Sequence, residues 1–179
     1  MENEEVNRSF LTFRLGNELF AANVVKVHEI LEIPRITKVP GSPEFMRGVI
    51  NLRGSVLPAV DSRIKFNMPP QEDTVDSVII VMSLEYMDQP LVMGAIVDAV
   101  QEVIEINQDD IKPAPKMGSK YKSEFIEGMV KHENQFIMLL NLDLVFSLDE
   151  VSILQEITSE GDSKSKESDK KKKENQPSN

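Results

Sequence analysis

Residues 45–66, FMRGVINLRGSVLPAVDSRIKF, run in step with residues 125–146, FIEGMVKHENQFIMLLNLDLVF, without a gap and eighty positions apart. Gly48 matches Gly128, Val49-Ile50 matches Met129-Val130, Val56-Leu57 matches Phe136-Ile137, Val60 matches Leu140, and Phe66 matches Phe146. Upstream of each copy, apolar residues recur at three-residue spacing, at Val24, Val27 and Ile30 and again at Val97, Val100 and Val103. A module written twice implies two similar subdomains packed together, with two comparable faces for partners. The bias is towards assembly rather than catalysis.

The bulk numbers agree. In a chain of 179 residues with 40% hydrophobic residues, each half of about 70–80 residues sits near the lower size limit for independent stability, so the halves should lean on each other. No run of about 18 apolar residues occurs, and Met1 to Ser9 is polar and acidic, which argues against a membrane span and a secretory leader. The absence of cysteine removes disulfides, thiolate nucleophiles and cysteine zinc sites, and fits a reducing cytoplasm. The net charge is −10; residues 158–179 carry six lysines against five acids, which leaves −11 on residues 1–157. An acidic body repels phosphate backbones and anionic lipid, so neither nucleic acid nor a membrane surface is the expected partner.

Along the chain, Phe10 to Leu15 reads as a strand that turns at Gly16-Asn17 into Leu19 to Ala22. The dense apolar run from Val24 to Ile33 mixes a short helical turn with a strand. Pro40-Gly41-Ser42-Pro43 is a loop, and Ser42 or Pro43 is placed to start one helical turn through Phe45 and Met46. Gly48 to Leu52 and Val56 to Val60 form a hairpin about Arg53-Gly54-Ser55, where Gly54 can adopt a positive φ. A polar linker, Asn67 to Asp73, separates the halves. Ser77 to Leu84 and Leu91 to Val97 form the next hairpin, Ile111 to Pro115 is extended and irregular, and Ile126 to Lys131 pairs with Gln135 to Asn141. Apolar periodicity predicts a helix over 142–157. The tail 158–179 has no apolar residue beyond glycine and proline, and should be disordered.

Few residues offer chemistry. His28 and His132 lie far apart and match no metal-ligand spacing, so they read as surface or turn residues. Asp109-Asp110 reads as a cap or turn, not a cation site. No phosphate-loop, dinucleotide, serine-hydrolase or zinc-protease motif occurs. The nine methionines are either core filler or adaptable contact surface, and Lys170 to Lys173 reads as part of a solvated tail. Arg53 admits two readings: a solvated turn residue, or a rigid fork at a hairpin tip suited to a carboxylate.

Phe45-Met46-Arg47-Gly48-Val49-Ile50-Asn51-Leu52-Arg53-Gly54, followed by Val56-Leu57-Pro58-Ala59-Val60-Asp61 and Arg63, resembles the CheW family of bacterial chemotaxis coupling proteins. Val27 and Glu29, Gly94 to Asp98, Val100, Val103 and Ile111 to Pro115 support the resemblance, which covers roughly Phe10 to Leu154. It implies a mainly β fold of two intertwined, five-stranded SH3-like β-barrel subdomains, with a C-terminal helix and a disordered tail. The expected organisation is a flexible 1–9, a CheW-like domain over 10–157 and the lysine-rich tail 158–179. Within the domain the barrels take roughly 10–70 and 76–141, with allowance for exchanged strands, and the helix takes 142–157.

The resemblance further implies no enzyme activity, no cofactor and no metal. The expected role is a cytoplasmic adaptor, monomeric on its own and recruited to membrane-attached arrays. It would bridge the cytoplasmic tip of methyl-accepting chemoreceptors and the regulatory domain of the histidine kinase CheA. By position, the receptor groove involves Val27, Glu29, Gly48, Arg53, Val78 and Val103. Kinase contact falls to Val24 with Glu29, and an array ring contact to Lys112 and Met117. At those last two places the family more often has arginine and an aromatic residue, and Ser62 stands where leucine is usual. The competing readings are a CheW-like array scaffold with changed partners, a CheV-like variant, for which no receiver domain is seen, and a small barrel enzyme or nucleic-acid binder, which the charge and missing motifs oppose.

Overall fold

The computed structural model describes residues 7–114 and 123–159. Four hairpins organise them: β1 (Asn7–Leu15) with β2 (Glu18–Asn23), β4 (Met46–Leu52) with β5 (Ser55–Asp61), β6 (Val78–Tyr86) with β7 (Gln89–Val97), and β9 (Ile126–His132) with β10 (Gln135–Leu140). Each turns on two residues. Arg53 and Gly54, Met87 and Asp88, and Glu133 and Asn134 all have positive φ, the type I′ geometry whose twist matches that of the flanking strands. Two strands, β3 (Val27–Glu32) and β8 (Ala99–Asn107), belong to no hairpin. Asp61 caps the short helix α1 (Ser62–Lys65) by accepting from the Arg63 and Ile64 N–H groups. A second helix, α2, spans 148–159.

The strands form two five-stranded sheets, ordered β8-β1-β2-β10-β9 and β3-β6-β7-β5-β4. Each sheet therefore takes two strands from one half of the chain and three from the other. The duplication explains the arrangement, because advancing every strand of the second sheet by five positions, cyclically, reproduces the first. Even the parallel joints correspond, with β5 beside β7 and β10 beside β2. Neither half can build a sheet without the other.

Both sheets are open, which corrects the expectation of two closed SH3-like barrels: β3 is not paired with β4, nor β8 with β9. The chain joining β3 to β4 contains Pro34, Pro40 and Pro43, which lack the N–H a ladder needs. It bridges the outer edge of β4 at Thr37, where Thr37 and Val49 exchange hydrogen bonds of 2.9 and 2.8 Å. Lys112 and Met129 repeat this on β9, also at 2.9 and 2.8 Å.

Three apolar clusters hold the molecule together. One lies within each curled sheet, Phe10, Leu19, Ile106, Val130, Ile137 and Leu139 in the first and Ile50, Leu57, Ile79, Val81 and Ile96 in the second. The largest lies between the sheets and contains Leu11, Phe13, Phe20, Met82, Leu84, Met93 and Leu154. Across it the duplicated phenylalanines pair crosswise. Phe45 meets Phe146 at 5.7 Å and its counterpart Phe125 meets Phe66 at 5.0 Å between ring centroids. Lys65 Nζ lies 5.0 Å from the Phe45 centroid and 5.3 Å from that of Phe146, and it also pairs with Glu150 at 2.9 Å.

Helix α2 starts later than periodicity suggested. Ser147 Oγ accepts from the Glu150 N–H at 3.3 Å, and Glu150 Oε2 accepts from the Ser147 N–H at 2.9 Å, a capping box. Leu142–Leu144 forms a separate 3-10 turn capped by Asn141, and Val151 and Leu154 anchor α2 in the core. Strand β1 begins at Asn7, within the stretch 1–9, while residues 160–179 of the expected tail lie outside the described residues. Ser62 is buried and lines a small apolar cavity with Phe13, Met82 and Phe146; a leucine there would reach into it.

The crossed phenylalanines make the two sheets one cooperative unit. Phe45→Ala should lower unfolding free energy by about 3–5 kcal/mol, the usual cost of emptying a buried phenylalanine site. Urea denaturation should still show a single transition; a loss below about 1 kcal/mol, or two separate transitions, would contradict this.

Candidate functional site

The β4–β5 hairpin is built to present Arg53. Asn51 Oδ1 accepts from the Gly54 N–H at 3.0 Å, and this tightens the turn. The Arg53 side chain is 73% exposed. Its two terminal nitrogens donate to the two carboxylate oxygens of Glu29 at 2.7 and 2.8 Å. Hydrogen bonding from Arg53 holds the Glu29 carboxyl below its ordinary value, against the opposing effect of burial. Glu29 raises Arg53 in return, first through the same hydrogen bonds.

This pair measures the curl of the sheet. Laid flat, β3 and β4 would stand about 19 Å apart across four strand spacings. That gap far exceeds an arginine's reach. The rim is thus drawn together by side chains where the backbones do not pair. The other sheet does the same at the matching hairpin, where His132 Nε2 stands 3.4 Å from Glu102 on β8.

Gly48 serves the chain's own backbone. A Cβ added there would stand 2.2 Å from the Thr37 carbonyl oxygen and 2.8 Å from Ile36 Cγ2. Gly128 repeats the constraint, with Ile111 Cγ2 at 2.5 Å and Lys112 O at 2.7 Å. Matched glycines therefore admit the crossing segments on both outer edges.

The remaining candidate residues fall as follows. Val27 on β3 pairs with Met82, and Val78 on β6 pairs with Glu32; both valines are half-buried against the cluster between the sheets. Val103 on β8 pairs with Leu11 and is 58% exposed. The parallel joints Leu139 with Ala21 and Ala59 with Gly94 make Phe13 the counterpart of Met82 and Leu11 that of Ile80, so Val27 answers to Val100, and Val103 to Ile30. Val24 lies in the 3-10 turn Val24–Lys26, capped by Asn23. Val27, Glu29, Val78 and Arg53 thus share one sheet, and Val103 stands on the other. Lys112 is exposed on the outer edge of β9, and Met117 lies outside the described residues.

The site has support that spacing alone did not reveal. The Arg63 guanidinium, nearly buried, donates through Nε to Asp98 Oδ1 at 2.8 Å and through Nη1 to Pro69 O at 3.1 Å, while Asp98 Oδ2 accepts from the Gly16 N–H at 2.6 Å. Arg47 bridges Asp61 at 2.8 Å and Asp73 at 2.6 Å. Burial alone would raise the Asp98 carboxyl; the Arg63 and Gly16 hydrogen bonds and the Arg63 charge outweigh it, and the net shift is downward. Asp109 and Asp110 sit in a 3-10 turn capped by Asn107. Among the described residues no group of three or more His, Asp or Glu side chains is placed to hold a metal, and no helix is long and apolar enough to cross a membrane.

Comparison with known proteins gives one answer. Residues 9–150 match the family model described as CheW-like domain. The chain is 37% identical over 143 residues to the chemotaxis protein CheW of Rhizobium meliloti, covering 80% of this chain and 90% of that protein. It is 32% identical over 141 residues to its namesake in Bacillus subtilis, covering 79% and 88%. The crystal structure of the scaffolding protein TtCheW from Thermoanaerobacter tengcongensis superposes with a TM-score of 0.71 at 33% identity, covering 81% of this chain and 96% of that one.

Two measurements test this geometry. Gly48→Ala should destabilise the fold by about 1–3 kcal/mol, as overpacking does, and hydrogen exchange should show lost protection at the Thr37 and Val49 amides; unchanged protection would contradict the close approach. Because the Asp98 carboxyl is held below its ordinary 3.8, its contribution to stability is present above that pH and lost as pH falls through the lowered value. Asp98→Asn should therefore weaken the fold at neutral pH and flatten the acid limb of the stability curve. An acid limb as steep as wild type would contradict it.

Proposed function

The chain belongs to the CheW-like domain family, and from that premise we propose that it is a non-enzymatic chemotaxis adaptor holding the regulatory domain of the kinase CheA against the cytoplasmic tip of methyl-accepting chemoreceptors. The observation that carries the reading is the family match over 9–150 together with a body that presents two comparable faces. An adaptor of this kind works by geometry. Its two sheets are locked by one shared core, so a partner on one face is held at a fixed orientation to a partner on the other.

In this reading the receptor helix lies along Val27, Glu29, Gly48, Arg53, Val78 and Val103, a helix-in-groove mode. Val27 and Val78 form the half-buried floor, and Val103 supplies exposed apolar area from the other sheet. Arg53 arrives already paired with Glu29, so the partner meets a pre-positioned, charge-compensated fork, and less side-chain entropy is lost on binding. Gly48 contributes indirectly, by letting the 33–39 segment lie flat on β4. The kinase contact uses Val24, in the 3-10 turn that leads into β3, with Glu29 on β3. Lys112 and Met117 carry the array ring contact, where lysine offers a point charge in place of arginine's planar fork. The domain boundaries 10–157 follow the same reading.

Arg53→Ala separates the two interfaces. Calorimetric titration should show binding to a receptor cytoplasmic fragment weakened about tenfold or more, equivalent to about 1.4 kcal/mol. Binding to the kinase regulatory domain should stay within about threefold of wild type, with an unchanged circular dichroism spectrum. Equal loss of both partners would overturn the assignment of Arg53 to the receptor face.

A further inference from the structure

The two halves of the chain, residues 7–66 and 78–159, are joined by an exposed linker, and everything else that joins them is non-covalent. Four ladders cross between the halves: β1 with β8, β2 with β10, β3 with β6, and β5 with β7. Within a half the only ladders are the hairpins, beside the isolated bridges Thr37 to Val49 and Lys112 to Met129. Strands β3 and β8 find their backbone ladders only on the opposite half, and the crossed phenylalanines meet only across the halves. The linker packs back on the first half, through Arg63 to Pro69 O and Arg47 to Asp73. It then runs exposed through residues 69–76, with Val75 wholly in solvent.

The ion pairs between the halves have a direction. Arg8 pairs with Glu127 at 2.6 Å, Lys26 with Asp143 at 3.1 Å, Lys65 with Glu150 at 2.9 Å, and Arg63 with Asp98. Among the described residues, every ion pair that crosses draws its cation from the first half and its anion from the second. Two first halves set against each other would leave Arg8, Lys26, Arg63 and Lys65 without these acids, and two second halves would leave the acids without these cations. Charge thus selects unlike pairing although the repeats share one topology.

We infer that each half of this chain is a binding partner for the opposite half of a second copy, so that two chains can exchange halves through the 67–77 linker and form a dimer in which all four sheets are complete. Such a dimer recreates every contact of the monomer outside the linker, and it presents two adaptor bodies on one particle. In the intact monomer the linker keeps the halves at an effective concentration of about 1 mM, so exchange is suppressed at micromolar protein and emerges as concentration approaches that value. Cutting the linker removes the suppression.

The experiment uses the full chain with a protease recognition sequence inserted beside Val75, prepared unlabelled and nitrogen-15 labelled. The uncut variant is first matched to wild type by circular dichroism. After cleavage, the halves should co-elute as one species at ~10 μM. When labelled and unlabelled cut proteins are unfolded in urea, mixed and refolded, native mass spectrometry should show light first halves with heavy second halves and the reverse, and no pairs of like halves. Wild-type chains mixed and refolded uncut should give single-label monomers at ~10 μM and mixed-label dimers as concentration nears ~1 mM. This arm does not depend on the inserted site. Halves that separate on cleavage, like halves that pair as often as unlike ones, or uncut chains that remain monomeric at the highest concentration would each overturn the inference.

Discussion

The structure depends on a reciprocal exchange of strands between two copies of one module. Each half brings two hairpins and one unpaired strand, and that strand finds its partner only on the other half. Backbone N–H and C=O groups left unpaired in a buried setting are costly, so neither half has a folded state of its own to fall into. The crossed contacts Phe45–Phe146 and Phe66–Phe125 close the space between the sheets, and Lys65 covers one of them while holding helix α2 through Glu150. Two small repeats, each too short for a sufficient core, thereby share one.

The exchange also shapes the surface that partners meet. Because the sheets curl without closing, each keeps a rim where the connecting segment crosses an outer edge, at Thr37 on β4 and at Lys112 on β9. Glycines at 48 and 128 permit those crossings, and the hairpin tips reach back across the rim to the far edge strand, Arg53 to Glu29 and His132 to Glu102. The two rims have the same plan and different chemistry. One offers a bidentate arginine pair at an exposed tip; the other offers a histidine and glutamate, with the exposed Val103 next to Glu102 along β8.

Much of this was legible in the residues because it is local. The four hairpins announce themselves through Gly16-Asn17, Arg53-Gly54, Asp88 and Asn134, residues that tolerate positive φ or favour turns, and the eighty-residue offset foretold that the turns at 53–54 and 133–134 would match. The short helical turn before β3 was visible in the density of valines after Asn23. What was not legible depended on long-range pairing. The strand order within each sheet joins residues from opposite ends of the chain, and no spacing encodes it. Strand β8 was hidden because its outward residues Gln101, Glu102 and Glu105 obscure a period of two. The barrels implied by family resemblance failed to close because proline-bearing segments, not strands, lie against the edges of β4 and β9. The start of α2 at Ser147 was available in Ser147-Leu148-Asp149-Glu150, a capping pattern masked by the apolar residues before it. Gly48 was read only as part of the receptor groove, and the structure shows that the space it leaves is taken by the chain's own Thr37.

In the proposed role one rigid body holds two different partners at once. The direct test is to titrate a receptor cytoplasmic fragment into the preformed complex of this chain with the CheA regulatory domain. A ternary complex should form, with a receptor affinity within about threefold of that for the free chain, a difference below about 0.7 kcal/mol. Displacement of the kinase domain as receptor is added would show that the two partners compete for one face, and would contradict it.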